Sequence, residues 1–243
     1  MNNRVGLSKR VSAFSVILLA IGASAAPLSA QTENRQLKWM RDSGEYQALT
    51  RQIYRQAAEA AMRHVASRAT DTVWAVVLDI DETVLETSEY QLEAAVYRRP
   101  FDTTSWNAWV GRERGIPIPG VAEYLDAIRA LGGRVAFNSN RLESVREPTR
   151  RNLAAFGLWH AGDVLCLEVA GEPDYTKRVR RSELRGGSGR CAWEGEPVLI
   201  LAYLGDNLHD FPESDEEPGE FGDRWFVLPN PSYGSWERGV TRR

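Results

Sequence analysis

The sequence predicts an α/β fold: a Rossmann-like parallel sheet flanked by helices, with a small helical cap insertion after the first strand. Three observations carry this. Short apolar, β-branched runs alternate with segments of helical period from residue 73 to residue 230, the pattern of a parallel sheet with right-handed crossovers. The first run, "TVWAVVLDI" (72–80), is continuous rather than alternating, as expected of a strand buried on both faces. That rhythm breaks once, at about 86–116, where Tyr90, Tyr97, Phe101, Trp106 and Trp109 lie between the first strand and its helix. A cap lying over the carboxyl edge of the sheet accounts for this interruption.

Residues 1–30 stand apart from that domain. Arg4, Lys9 and Arg10 precede an apolar stretch at 11–26, and small residues follow at 23–25 and 28–30. This reads as a secretory signal peptide cleaved after Ala25 or Ala30. The apolar stretch is short of the roughly 20 residues that a membrane span needs, and an uncleaved anchor is the alternative. The expected mature domain is 31–243, periplasmic or secreted, with no stable membrane anchor.

The elements follow in order. Residues 35–67 read as one helix, because Leu37, Met40, Tyr46, Leu49, Ile53, Tyr54, Ala57 and Ala61 fall near a 3.6 period. After the first strand and the cap, 119–133 is a helix with Pro119 near its start and Gly132 just past its end. A strand at 134–140 precedes a helix over 142–157 that Pro148 kinks or restarts. A strand at 163–169, a basic helix at 174–184, and strands at 197–207 and 224–230 complete the list.

Composition bounds the function. Hydrophobic residues are 43% and charged residues 26%, which is globular rather than disordered. Without residues 1–30, basic side chains fall from 30 to 27 against 33 acidic ones, net −6, the wrong sign for a nucleic-acid polymer partner. The acidic run "ESDEEPGE" (213–220) reads as a solvated loop. Cys166 and Cys191 are the only cysteines; export permits a disulfide between them, with a structural role, but sequence does not place them in contact.

The strand ends hold the chemistry, since ligands of such sheets bind beyond the strands' carboxyl ends. Strand one ends in Asp79 and Asp81, and strand two in Ser139, Asn140 and Arg141; Lys177 follows strand three, and strand four leads into Asp206 and Asp210. Two carboxylates about 4 Å apart repel by roughly 4 kcal/mol at an effective dielectric near 20, so such a cluster requires a cation or a proton. Oxygen-only ligands suit Mg²⁺, and a metal flanked by hydroxyl and ammonium donors suits a phosphate group. Taken singly, a D-x-D is equally a calcium or capping feature, and Gly205-Asp206-Asn207 is more often just a turn. The EF-hand is excluded, because Val84 stands where its loop needs Gly. Lys177 is set apart by rarity: residues 31–243 contain 25 Arg but only two Lys.

With these pieces in order, "LDIDETVLETSEY", "NSNR", "TKRVR", "GDNLHDF" and "VLPNPSYGSWE" resemble the haloacid dehalogenase (HAD) superfamily. More closely, they resemble its class C acid phosphatases, the bacterial outer-membrane lipoprotein phosphatase and 5′-nucleotidase family, over about 73–238. The resemblance implies a HAD-like fold and a Mg²⁺-dependent phosphomonoesterase, an acid phosphatase or 5′-nucleotidase acting through an aspartyl-phosphate on a small-molecule phosphomonoester. It implies Asp79 as nucleophile and metal ligand. Asp81 becomes the general acid and base, with its main-chain carbonyl on the metal. Ser139 becomes a phosphate donor, Lys177 a charge neutraliser, and Asp206 and Asp210 the remaining metal ligands. Arg141 braces the cluster, and Trp106, Trp109, Tyr233 and Trp236 offer a stacking box of which Trp106 and Tyr233 are the expected substrate contacts. An acid of this kind works protonated, so activity is expected to be better below neutral pH.

The chain departs from the pattern in four places: the lipoprotein cysteine is missing, His209 stands where Asp is commoner, and 184–196 and the approach "EVAGEPD" to Lys177 are altered. The alternative class is a non-catalytic exported protein binding haem or a nucleotide. Three His (His64, His160, His209) and no C-x-x-C-H lend haem little support.

Overall fold

The computed structural model describes residues 28–67, 72–193, 195–213 and 215–239, and the side chains from Arg35 onward. The signal-peptide segment falls largely outside the described residues. Strand β1 (Trp74–Leu78) is the middle of a five-stranded sheet with β4 (Arg134–Leu142), β5 (Val164–Glu168), β6 (Leu199–Gly205) and β7 (Trp225–Val227), in the order β5-β4-β1-β6-β7. Every pairing in it is parallel. The chain steps outward from β1 to β4 and β5, then returns to the other side of β1. That reversal opens a crevice at the carboxyl end of β1, between β4 and β6.

The continuous apolar run of β1 is explained by its two covers. Trp74, Val76 and Leu78 point into one core with Tyr54, Ala57 and Ala61 of α2 (Gly44–Ser67) and Leu125 and Ile128 of α5 (Val121–Ala130). Ala75 and Val77 point into the other, with Leu184 of α7 (Lys177–Gly186), Ile200 and Tyr203. The helix expected over 35–67 is two helices, α1 (Leu28–Asp42) and α2. Ser43 separates them: its Oγ donates to the Trp39 carbonyl (2.7 Å) and accepts from the Tyr46 N–H (3.0 Å), starting a new helix while the apolar period runs on. Pro148 does not break its helix, because α6 (Arg146–Ala155) starts two residues before it, where a missing N–H costs little.

Between β1 and α5 lie α3 (Ser88–Val96) and α4 (Thr103–Val110), closed at the neck by a two-residue antiparallel pair, β2 (Leu85–Glu86) with β3 (Ile116–Pro117). Tyr90, Trp109 and Val110 make a small core of their own against Val145. Cys166 and Cys191 are disulfide-bonded and buried.

The acidic run at 213–220 is a loop with Glu213, Asp215 and Glu220 exposed, but its middle is not solvated. Glu216 pairs with Arg181, and Glu217 with Arg185 and Arg224; the Glu216 and Glu217 side chains are only 3% and 11% exposed. The partners are arginines distant in sequence, which composition alone does not reveal. No helix among the described residues is long and apolar enough to cross a membrane.

Candidate active site

Asp79 follows β1 directly and its N–H donates to the Leu204 carbonyl of β6 (2.9 Å), so it remains in register with the sheet. The chain then turns around the Ile80 carbonyl, which accepts from the N–H groups of Val84 and Leu85 (2.8 Å each). Glu82 sits in this turn at φ +57°. Its buried carboxyl accepts from the Thr87 N–H and hydroxyl. The turn leaves both Asp79 and Asp81 on the wall of one cavity of about 540 Å³, a size suited to a small-molecule ligand.

The other strand ends deliver their side chains to the same place. Ser139, Asn140 and Arg141 lie among the last residues of β4, and the Ser139 Oγ accepts from the Arg141 N–H (3.2 Å). Lys177 is the first residue of α7, behind the Thr176 cap. Its Nζ donates to Asp79 Oδ1 and Asp210 Oδ1, both at 2.5 Å. Asp206 follows β6, and its Oδ2 accepts from Asn230 Nδ2 (2.7 Å). Asp210 ends a short 3-10 turn (Leu208–Asp210), its Oδ2 accepting from the Asn207 N–H (2.9 Å). Gly205 makes room for that carboxylate: a Cβ there would lie 2.3 Å from Asp210 Oδ2.

Carboxylate oxygens of Asp79, Asp206 and Asp210 lie within 4.8 Å of one another. Burial pushes the Asp79 carboxyl up to about 7, with Asp210 and Asp81 adding to the rise and Lys177 opposing it. Burial likewise holds Asp206 well above the usual carboxylate range, and Asp79 and Asp210 add to it. Burial alone would lower the Lys177 ammonium, but Asp210 and Asp79 outweigh it and keep the side chain charged. With Asp79, Asp206 and Asp210 ionised, Lys177 leaves two negative charges of the trio unbalanced, the charge of one divalent cation. An all-oxygen donor set of this kind fits a hard divalent ion.

The Asp81 carboxylate is not one of the trio; the Arg141 guanidinium holds it by an ion pair of 2.7 Å. Trp106 and Tyr233 line the cavity, and the Arg141 guanidinium lies 5.7 Å from the centre of the Trp106 ring. Trp109 and Trp236 do not line it. Trp109 is buried beneath Trp106, the two rings stacked at 5.4 Å, and Trp236 donates to the Asn230 carbonyl (3.0 Å). The sequence assigns no site role to Gln91, Phe101, Asn107 or Glu168, which line the cavity, or to Asn230. Asn230 links Asp206 to the segment bearing Tyr233, since its Oδ1 accepts from the Ser232 and Tyr233 N–H groups. The signal for Asn230 was an amide wedged between Pro229 and Pro231.

The family model for HAD superfamily, subfamily IIIB (acid phosphatase) matches residues 11–236. The chain belongs to this family. Among curated relatives of this subfamily IIIB protein, Acid phosphatase 1 of Solanum lycopersicum is 28% identical over 163 residues, covering 66% of the chain. The stem 28 kDa glycoprotein of Glycine max is 26% identical over 164 residues, covering 65%. The match spans 58% of the length of each of these relatives. Two solved structures of the class C acid phosphatase from Bacillus anthracis share the fold. One has a TM-score of 0.72 at 23% identity, covering 88% of this chain and 92% of that one. The other, with tungstate bound, has a TM-score of 0.70 at 25% identity, covering 86% and 88%.

Proposed function

We propose that this subfamily IIIB chain is a periplasmic or secreted phosphomonoesterase, an acid phosphatase that also accepts 5′-nucleotides, with Mg²⁺ as its cofactor and an aspartyl-phosphate as its intermediate. One observation carries the reading: Lys177 Nζ bridges Asp79 and Asp210 at 2.5 Å beside Asp206, while Arg141 separately holds Asp81. The site therefore offers two carboxylates in two different environments, one among cation-seeking neighbours and one held apart from them by an arginine.

In this reading an Asp79 carboxylate oxygen attacks phosphorus, and the phosphorus–oxygen bond to the leaving alcohol breaks. Asp81 gives that oxygen its proton. Asp81 then takes a proton from water, whose oxygen attacks phosphorus and releases Asp79 and inorganic phosphate. Ser139 donates to a phosphate oxygen, and Lys177 offsets the charge on phosphate and nucleophile. Asp79, Asp206, Asp210 and the Asp81 main-chain carbonyl would hold the ion, which supplies positive charge to the phosphate oxygens when bound. Arg141, Trp106 and Tyr233 face the substrate, and the aromatic walls suit a nucleobase or aryl leaving group. Tungstate in the 25% identical Bacillus anthracis structure supports an oxyanion ligand.

The test is hydrolysis of p-nitrophenyl phosphate and of a 5′-nucleotide by residues 31–243, with Mg²⁺, with EDTA, and in Asp79→Asn. Metal-dependent turnover that Asp79→Asn abolishes is expected. Turnover surviving in Asp79→Asn removes the nucleophile, and no turnover by folded, metal-loaded protein favours a non-catalytic binding protein.

A further inference from the structure

Glu216 and Glu217 of the acidic run are docked along one stripe of α7. Lys177, Arg181 and Arg185 recur at four-residue spacing and so share a face of the helix. Lys177 reaches Asp79 and Asp210, Arg181 reaches Glu216 and Arg185 reaches Glu217. Arg181 differs from its neighbours in having two kinds of partner. Its Nη2 donates to Glu216 Oε2 (2.7 Å), while its Nη1 donates to the main-chain carbonyls of His209 (3.2 Å) and Asp210 (3.5 Å). Glu216 Oε2 also accepts from the Glu213 N–H (3.0 Å), which fixes the turn that carries it. Both side chains of this pair are 3% exposed, so salt screens it little. The outer pairs of Arg178 with Glu213 and Asp215 involve side chains that are 48%, 72% and 66% exposed, and contribute far less.

We propose that Arg181 and Glu216 are positioning residues for the cation site: Glu216 holds the Arg181 fork against the main chain of 209–210, and so sets where the Asp210 carboxylate stands relative to Lys177 and Asp79. This rests on the metal-ligand role proposed above for Asp79, Asp206 and Asp210. Neither residue touches the cavity. The effect is therefore on the geometry of the carboxylates, and through it on cation affinity, rather than on substrate contacts. Partners one layer behind metal ligands typically change metal affinity by about 10–100-fold when lost.

The experiment titrates Mn²⁺ into EDTA-stripped protein by calorimetry, for wild type, Glu216→Gln, Glu216→Asp and Arg178→Gln, with urea midpoints measured alongside. Glu216→Gln is expected to bind Mn²⁺ about 10–100-fold more weakly, with KM for p-nitrophenyl phosphate at saturating metal within about twofold of wild type. Glu216→Asp keeps the charge on a shorter stem, and an intermediate loss of at least about threefold is expected. Arg178→Gln should bind as wild type does. If Glu216→Gln does not fold, Glu216→Asp decides. Wild-type Mn²⁺ affinity in a folded Glu216 variant, or an equal loss in Arg178→Gln, overturns the inference. A wild-type protein that neither binds Mn²⁺ nor turns over substrate instead overturns the proposed function.

Discussion

The Arg141 guanidinium grips Asp81 at two points, with Nε 3.1 and 3.2 Å from its two carboxylate oxygens and Nη2 2.7 Å from Oδ1. Arg141 is itself 1% exposed and tied through Nη1 to the Thr149 hydroxyl (3.2 Å). Asp81 is thus held in one orientation by a planar fork with no freedom of its own. A lysine keeps the charge but cannot reproduce the two-point contact. Arg141→Lys is expected to lower kcat on p-nitrophenyl phosphate about 10–100-fold, or about 1.4–2.7 kcal/mol of barrier. A folded Arg141→Lys enzyme with wild-type kcat would show that the orientation of Asp81 does not matter.

The Asp79 carboxyl contributes to the pH behaviour of the metal-free protein, together with the buried Glu82 and Asp206. Its pKa rises from 3.8 to about 7, chiefly by burial. A carboxyl raised on folding contributes stability that is fully present below its unfolded value and is lost as pH rises through its folded value. Metal-free protein should therefore lose stability between about pH 4 and pH 7, at up to about 1.4 kcal/mol per pH unit for this one proton. Asp206, also raised by burial, acts in the same direction. The same proton competes with a cation, so metal affinity should fall as pH drops below about 7. Urea midpoints of EDTA-treated wild type and Asp79→Asn, measured from pH 5 to 7.5, test this. Parallel pH dependences in the two proteins would mean Asp79 does not carry the proton.

Cys166 in β5 and Cys191 are joined across 25 residues of chain. The segment that the disulfide closes is tied down as well by the Cys191 N–H to Glu183 (2.9 Å), the Arg190–Glu172 pair, and Leu167 and Leu184 in the two cores. Closing a loop of that length restricts the unfolded chain by about 3–4 kcal/mol. The bond lines no part of the cavity. A Cys166→Ala/Cys191→Ala variant is expected to lose about that much stability in urea while its kcat stays within about twofold. A large loss of kcat in the folded variant would assign the disulfide a role at the site.

What the sequence disclosed tracks how locally each feature is encoded. Strand β1 was legible because a central parallel strand is apolar on both faces, as Trp74–Leu78 is. Asp79, Asp81, Ser139, Lys177, Asp206 and Asp210 were legible because a parallel sheet brings successive strand ends to one edge, and the cavity gathers all six. The break at Ser43 was hidden, since Met40, Tyr46 and Tyr54 keep one buried stripe across both helices. The β2–β3 neck has two residues per strand, too few for any period. Within the acidic loop, the burial of Glu216 and Glu217 is hidden from the sequence because it depends on Arg181, Arg185 and Arg224, whose positions only the fold supplies. Trp109 and Trp106 are three apart on one helix, and nothing in their spacing says which ring faces the cavity.

Gly205 shows how little space surrounds the carboxylate trio. It is not among the glycines of positive φ, so its backbone would accept alanine. Its neighbours would not: a Cβ there would meet both Cβ and Oδ2 of Asp210 at 2.3 Å. Asp210 has no way to give without losing the Asn207 N–H (2.9 Å) or Lys177. Overpacking of this kind costs about 1–3 kcal/mol, and here it falls on a carboxylate of the trio. Gly205→Ala is therefore expected to remain folded, lose about 1–3 kcal/mol in urea, and need at least about tenfold more Mg²⁺ for half-maximal turnover. Wild-type metal dependence in Gly205→Ala would place Asp210 outside the cation's ligands and leave Asp79 and Asp206 to hold it.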